Sequence, residues 1–294
     1  MDQQQWLAEQ FEQNRGHLRG VAYRMLGSVA EADDAVQEAW LRLSRSDAGA
    51  IGNLGGWLTT VVARVSLDML RSRQSRREES LDASETHKPA PASAVDPEQE
   101  ALMADSVGLA LLVVLNKLTP AERLAFVLHD TFDLPFDEIA AIVGRSPDAA
   151  RQLASRARRR VRGAAAGSRI DLAQQRKTVE AFLAALRARD FASLVAVLDP
   201  DLAVHTDAVA VPPGAPSEIH GAEAAARAAI QFARGAAFAR VAMVDGSVGV
   251  VIAPRGRLFR ALKFAFAGGR IAEIDIVANP TRLHALDLAV PAGE

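Results

Sequence analysis

Between Trp6 and Arg77 the apolar residues recur at helical spacing. Phe11, Leu18, Val21, Ala22, Met25 and Leu26 fall on one face, and Ala35, Val36, Ala39, Trp40 and Leu43 fall on another. Gly27-Ser28 separates these two helices. A Ser-, Gly- and Asn-rich stretch from Ser44 to Gly56 breaks the period before Leu58, Val61, Val62, Val65, Leu67 and Leu70 build a third helix. Residues 78–99 carry Pro89, Pro91 and Pro97 among small and charged side chains, the composition of a flexible linker. Helical periodicity resumes near Glu100, stops at Thr119-Pro120, and restarts with Leu124, Phe126, Val127 and Leu128 to run to about Gly163.

Beyond a small-residue joint at Ala164 to Ser168 the grammar changes. A helix over 172–189 precedes predicted strands at 202–206, 238–244, 248–253, 258–266 and 271–277. Turn signals separate them at Pro212-Pro213-Gly214, Asp245-Gly246, Pro254-Arg255-Gly256 and Gly268-Gly269. The pattern therefore predicts a multidomain protein. Two all-α helical domains, 1–77 and 100–166, are joined by the linker 78–99 and followed by an α+β domain over 167–294.

Composition narrows the chemistry. The 294 residues include no cysteine, which excludes disulfides, thiolate metal sites and cysteine nucleophiles and suits a reducing cytoplasm. The longest apolar run, Val107 to Leu115, is too short for a membrane helix, and the polar start Met1-Asp2-Gln3 has no basic region of a signal peptide. The formal net charge of −2 hides two arginine concentrations. One contains Arg64, Arg71, Arg73, Arg76 and Arg77; the other contains Arg145, Arg151, Arg156, Arg158, Arg159, Arg160 and Arg162. Binding to nucleic acid follows local potential, so the near-neutral total does not exclude it.

The second concentration belongs to a recognisable motif. Phe136, Ile139, Ala140 and Val143 give a short helix a buried face, and Gly144 permits a sharp turn. Ser146-Pro147-Asp148 then supplies an N-cap, a proline at the first helical position and a carboxylate matched to the helix dipole. This spells helix-turn-helix. In its second helix Ala150, Leu153, Ala157 and Val161 point inward. Arg151, Gln152, Ser155, Arg156, Arg158 and Arg159, with Arg145 in the turn, remain for base edges and phosphates. The alternative is a solvated basic helix.

In the first domain, Trp57 beside Arg64, Arg71, Arg73, Arg76 and Arg77 sets an aromatic group among cations, which suits unstacked bases; Trp57 also fits a core position. Glu31, Asp33, Asp34 and Glu38 surround an amphipathic helix, as either a solvated face or a docking surface for a basic partner.

The segment from Ala30-Glu31-Ala32-Asp33-Asp34 through Trp40-Leu41-Arg42-Leu43 resembles the core-polymerase-binding segment of extracytoplasmic-function sigma factors. Asn53 to Arg77, with Gly56-Trp57-Leu58-Thr59-Thr60, is similar to their promoter-melting and minus-ten segment. Leu118-Thr119-Pro120-Ala121-Glu122-Arg123 through Arg162 resembles their minus-thirty-five-binding domain, and the three stand in the family's order. The resemblance implies that Asp33, Asp34, Gln37, Glu38 and Leu41 grip the coiled coil of the largest subunit of core RNA polymerase. It implies that Asn53 and its loop hold a flipped base, that Trp57 to Arg77 line the melted strand of promoter DNA, and that the Arg151 helix reads the minus-thirty-five element.

The third domain resembles the cone-shaped SnoaL-like, nuclear-transport-factor-2-like extension of one subgroup. The resembling pieces are Val179-Glu180-Ala181-Phe182, Leu198-Asp199-Pro200-Asp201, His220-Gly221-Ala222-Glu223-Ala224 and Asn279-Pro280-Thr281-Arg282-Leu283. By that resemblance Asn279, Pro280, Arg282 and Leu283 are regulatory. The stretch Thr206-Asp207-Ala208-Val209-Ala210 lacks the subgroup's Asp-Gly-Gly run, and the linker lacks its Trp-Leu-Pro-Glu-Pro block.

Such a cone encloses a pocket in which His205, Asp207, His220, Asp245, Glu273 and Asp275 are the acid–base candidates. Structural roles fit them better: Asp245-Gly246 reads as a hairpin turn, and Glu273 and Asp275 alternate with Ile274 and Ile276. The expectation is a cytoplasmic initiation factor with no catalytic residue, metal or cofactor, modulated in cis by its third domain, whose small-molecule ligand, if any, is not specified. The competing readings are a one-component regulator with a ligand-binding third domain, and a cyclase or isomerase using His205 or Asp207 as base.

Overall fold

The computed structural model describes residues 3–46, 51–82, 108–163, 169–212, 214–231 and 233–291. The chain divides into two compact units, residues 1–107 with 115–158, and residues 108–114 with 159–294.

In the first unit α1 (Gln3–Leu26), α2 (Val29–Arg45) and α3 (Leu54–Asp82) pack on one another. The break between α1 and α2 falls at Gly27-Ser28 as the sequence predicts, and the Ser28 hydroxyl accepts from the Glu31 amide to cap α2. Leu18, Val21, Met25, Val36, Leu43, Leu58, Val62 and Leu67 are buried, so the apolar stripes read from the sequence do form the core. The helix α3 continues to Asp82, five residues into the stretch read as linker; the remainder of that stretch, 83–99, and residues 100–107 lie outside the described residues.

Helix α4 (Leu109–Leu115) is followed by α5 (Pro120–Phe126), α6 (Phe136–Val143) and α7 (Pro147–Arg162), with one π-helical turn at Val127–Thr131 after α5. Thr119 and Glu122 cap α5 reciprocally, with Pro120 in its first turn. At the end of α6, Gly144 adopts φ 74° and ψ 43°, the left-handed conformation that any side chain at this position would strain. Two residues later the Ser146 hydroxyl accepts from Ala149 N–H at 3.2 Å, starting α7. The turn-and-cap chemistry therefore works as the sequence predicts.

The second unit holds a seven-stranded sheet of order β2-β1-β6-β5-β4-β3-β7. The strands are β1 (Leu198–Thr206), β2 (Glu218–His220), β3 (Ala239–Val244), β4 (Ser247–Ile252), β5 (Arg260–Ala267), β6 (Arg270–Val277) and β7 (Leu288–Ala289). Neighbours are antiparallel except β1 and β6, which are parallel. Helices α8 (Arg169–Ala188), α9 (Phe191–Val197) and α10 (Ala222–Gln231) share one core with the sheet, built from Val179, Phe182, Leu194, Leu202, Val204, Ala226, Val250, Phe264 and Ile274. On the other face a short α11 (Pro280–Ala285) sets Leu283 against Ala261 and Val277.

The sequence reading of the sheet is displaced at its margins. Phe238, Leu258 and Phe259 precede their strands rather than belonging to them, and β1 starts earlier, at Leu198. Asp245 and Gly246 both take positive φ, 50° and 81°, which is the primed hairpin turn expected there. The other glycine that matters is Gly249 in β4. A Cβ there would stand 2.7 Å from the Leu262 carbonyl oxygen of the next strand and 2.7 Å from a Val244 methyl. Gly249→Ala is expected to destabilise the sheet by about 1–3 kcal/mol through overpacking, read as a lower urea midpoint with unchanged slope.

Candidate nucleic-acid and polymerase interface

Each sequence-selected side chain on α7 reaches solvent. Arg151, Gln152, Ser155, Arg156 and Arg159 are exposed, Arg145 is exposed in the preceding turn, and Ala150, Leu153, Ala154 and Ala157 are buried. Positions 148, 151, 152, 155, 156 and 159 make one stripe at helical spacing. Intramolecular pairs hold part of it in place. The Arg151 guanidinium pairs with Asp148 and lies 5.8 Å over the Phe136 ring, which orients it from the first helix of the motif. Arg156 Nε meets Glu122 Oε1 at 3.3 Å, and Arg158 Nε meets Asp130 Oδ1 at 2.5 Å. Gln152 and Ser155 have the length and hydrogen-bonding chemistry for base edges; the arginines suit phosphates and guanine.

On α3 the exposed residues Arg64, Asp68, Arg71 and Ser75 recur at three and four, with Arg76 beside them. Arg73 is instead half-buried: it pairs with Glu31 and donates toward the Leu26 carbonyl. Asn53 is exposed, yet its carboxamide oxygen accepts from Gly56 N–H at 3.0 Å, so it caps the start of α3. Trp57 is half-buried, between the two readings the sequence left open. Arg77 lies within α3, and its side chain is outside the described residues.

On α2, Asp33, Asp34, Gln37 and Leu41 form an exposed stripe, with Glu38 half-buried beside it. Leu41 is the apolar member, 38% exposed. Asp33 pairs with Arg19 of α1 at 2.7 Å and Glu38 with Arg42 at 2.9 Å. Between α1 and α2 runs an open groove of about 460 Å³ lined by Phe11, Arg15, Arg19, Asp33, Gln37 and Trp40. An acidic rim around an apolar residue fits a basic helical partner.

Comparison with known proteins matches both helical segments. The profile of Sigma-70 region 2 matches residues 10–76, and that of Sigma-70, region 4 matches residues 108–161. The probable ECF RNA polymerase sigma factor SigI of Mycobacterium tuberculosis is 39% identical over 209 residues, covering 71% of this chain and 72% of its own. The ECF RNA polymerase sigma factor SigJ of the same organism is 36% identical over 291 residues, covering 93% of this chain and 92% of its own. The chain belongs to the extracytoplasmic-function sigma factors. The crystal structure of SigJ aligns over 94% of this chain and 97% of its own with 31% identity and a TM-score of 0.46.

In this sigma factor the acid–base candidates of the α+β unit do not converge on a pocket. Strand register pairs Ala203 with His220 and Glu273, and His205 with Glu218 and Asp275. These side chains therefore share the face opposite Val204, Ile274 and Phe264, which form the core. His205 stands 3.6 Å from Glu218 and 4.0 Å from Glu273 on that outer face. In the core behind the sheet Phe182 and Phe264 meet edge to face at 5.8 Å. An open groove of about 490 Å³ between α8 and α9 is lined mainly by alanines, with Asp190 and Ser193 at its polar side. Among the described residues no group of three or more His, Asp or Glu is placed to hold a metal ion, and no helix is long and apolar enough to cross a membrane.

Asp207 has a different task. Its carboxylate accepts from Ala278 and Asn279 N–H at 2.8 Å each and pairs with Arg282, which also meets Asp275 at 2.6 Å. Asn279 in turn caps α11, its Oδ1 accepting from Thr281 and Arg282 N–H; Pro280 is exposed in the first turn and Leu283 is buried beneath it. The loop that lacks the subgroup's glycines thus fixes the Asn279–Leu283 segment through one carboxylate. Sequence reasoning missed this role and those of Glu122 and Arg123, two charged residues buried in α5. The Thr119-x-x-Glu122 spacing before an apolar run was the available signal for Glu122.

Burial raises the Asp207 pKa, but the Asn279 and Ala278 amides and the Arg282 guanidinium outweigh it, and the net shift is downward. The stability this gives is present above the unfolded carboxyl value of about 3.9 and is lost as pH falls through the lower folded value. Asp207→Asn is expected to remove that acid-limb dependence and about 1–3 kcal/mol at pH 7, measured by urea titration at pH 7 and again at about pH 3, below the unfolded carboxyl value.

Proposed function

We propose that this sigma factor directs core RNA polymerase to its promoters, acting in the cytoplasm by binding energy and without covalent chemistry. Three working modules correspond to residues 1–77, 100–166 and 167–294. The acidic stripe of α2 with Leu41 docks on the coiled coil of the polymerase's largest subunit; α3 with Asn53 and Trp57 takes the minus-ten strand; α7 reads the minus-thirty-five element. The SnoaL-like α+β module modulates activity in cis through Asn279, Pro280, Arg282 and Leu283. The observation that carries the reading is the coincidence of regions 2 and 4, in order, with exposed stripes of the matching chemistry. Each DNA contact set is weak alone, and polymerase raises the effective concentration of one beside the other.

Arg151→Ala with Gln152→Ala is expected to lower promoter-specific transcription about tenfold or more, one to three kcal/mol per lost base contact, while co-elution with core polymerase is unchanged. Loss of co-elution in that variant contradicts the division of roles. Asp33→Ala with Asp34→Ala is expected to do the reverse, weakening co-elution first. Retention of full core affinity by that double variant rules out α2 as the docking helix.

A further inference from the structure

Beside Asn53 stands a second carboxamide, contributed by α1. Asn14 Nδ2 donates to the Gln10 carbonyl at 2.8 Å, and Asn53 Oδ1 accepts from Gly56 N–H at 3.0 Å. A backbone carbonyl only accepts and a backbone N–H only donates, so these two bonds fix which way each carboxamide faces. What remains is an acceptor, Asn14 Oδ1, and a donor, Asn53 Nδ2, neither of them bonded to a partner among the described residues. The two converge over the bare backbone of Gly55 and Gly56. A Cβ on Gly55 would stand 3.1 Å from Asn14 Oδ1 and 3.9 Å from Asn53 Oδ1, and one on Gly56 would stand 2.8 Å from Asn53 Nδ2.

Glycine is a poorer helix former than alanine, and neither Gly55 nor Gly56 has the positive φ that would call for it. What the pair permits is the close approach of the two carboxamides. The first turn of α3 is also held against α1: Thr59 Oγ1 donates to the Gly55 carbonyl at 2.9 Å and stands 3.3 Å from His17 Nε2. Asn14 and Asn53 are therefore fixed side by side although 39 positions separate them in the chain.

The face of α1 that carries Asn14 holds no carboxylate and no permanent cation. Trp6, Gln10, Gln13, Asn14 and His17 share it at helical spacing. Desolvation lowers the pKa of the His17 imidazole, so it is neutral at pH 7. Trp6, Gln13 and His17 are exposed, and Gln10 and Asn14 are half-buried. Trp6 is 43% exposed and lies about 12 Å along the helix from Asn14. Carboxamides bond to base edges and an indole stacks on base faces, so this face has the chemistry of bases, while the exposed arginines of α3 have that of phosphates.

We propose that α1 is a second wall of the minus-ten strand site: Asn14, together with Asn53, hydrogen-bonds the pairing edge of one unpaired base and sets the preference at that position, and Trp6 stacks a neighbouring base. The inference rests on the promoter-directing function above and adds α1 to the elements that contact DNA. The pairing edge of adenine or cytosine runs from an amino donor to a ring-nitrogen acceptor, and that of guanine or thymine from a carbonyl acceptor to a ring N–H donor. An acceptor and a donor held in fixed order match one of these pairs and leave polar groups unpaired against the other. Asn14 and Asn53 therefore separate amino bases from keto bases.

The test uses holoenzyme, the full chain with core polymerase, on pre-melted templates of a promoter found by run-off transcription. Each minus-ten position of the melted strand carries in turn each of the four bases. The wild-type protein is expected to show one position at which transcript differs about tenfold between amino and keto bases. Asn14→Ala and Asn14→Leu are expected to accept all four bases there within about twofold and to keep the preferences at other positions. Alanine and leucine both favour a helix over asparagine, so co-elution with core polymerase is expected to be unchanged. Trp6→Ala is expected to lower transcript about tenfold on every template with base preferences intact, and Trp6→Phe to restore most of it. Wild-type base preference at every position in the Asn14 variants overturns the readout, and loss of co-elution by both variants overturns it too, by reducing Asn14 to a folding role. Wild-type transcript levels from Trp6→Ala overturn the stacking role. Silence of the wild-type holoenzyme on every template overturns the promoter-directing function, and the inference with it.

Discussion

Two adjacent buried charges, Glu122 and Arg123, organise the helical unit. Glu122 is 4% exposed and faces back into its own segment: it completes the cap on α5 and receives Arg156 from the recognition helix. Arg123 faces away, into the end of α1. One helical turn thus fixes the recognition helix from one side and the neighbouring module from the other. Removing the partners of either buried charge leaves it uncompensated, so the pairings constrain one another. The arginines proposed to contact nucleic acid are therefore also part of the internal structure of the chain. Arg64, Arg73 and Arg156 all have intramolecular partners.

Sequence periodicity was a good guide wherever an element is long and amphipathic. The stripes of α1, α2 and α7 and the Gly144 turn were legible because buried faces at period 3.6 and cap residues are local signals. The Asp245-Gly246 hairpin was legible for the same reason. The short elements were not: α9 has seven residues, β2 three and β7 two, and α10 is largely alanine, so none carries a contrast between apolar and polar positions. The exposed stripes proposed to face polymerase and DNA were read from residue type and spacing, helped by resemblance, and their exposure is what the structure adds. Arg123 escaped because its partners are a backbone carbonyl 99 residues away and an asparagine, which no spacing rule connects.

The α+β unit illustrates why residue type alone misleads about chemistry. His205, His220, Glu273 and Asp275 look like an acid–base set along the chain, but strand alternation sends them to the outer face, opposite the core that holds Phe182 and Phe264. Asp207 is engaged by two amides and a guanidinium, which keeps its carboxylate ionised and tied to α11. A carboxylate so fully engaged is suited to holding a segment in place rather than to moving protons.

The most direct test of the account is run-off transcription from upstream genomic fragments by purified core polymerase, with and without the full chain. The account predicts discrete transcripts that require both components, together with weak promoter binding by the chain alone. Tight operator binding by the free chain, with no transcript when core polymerase is added, would contradict it and favour a one-component regulator.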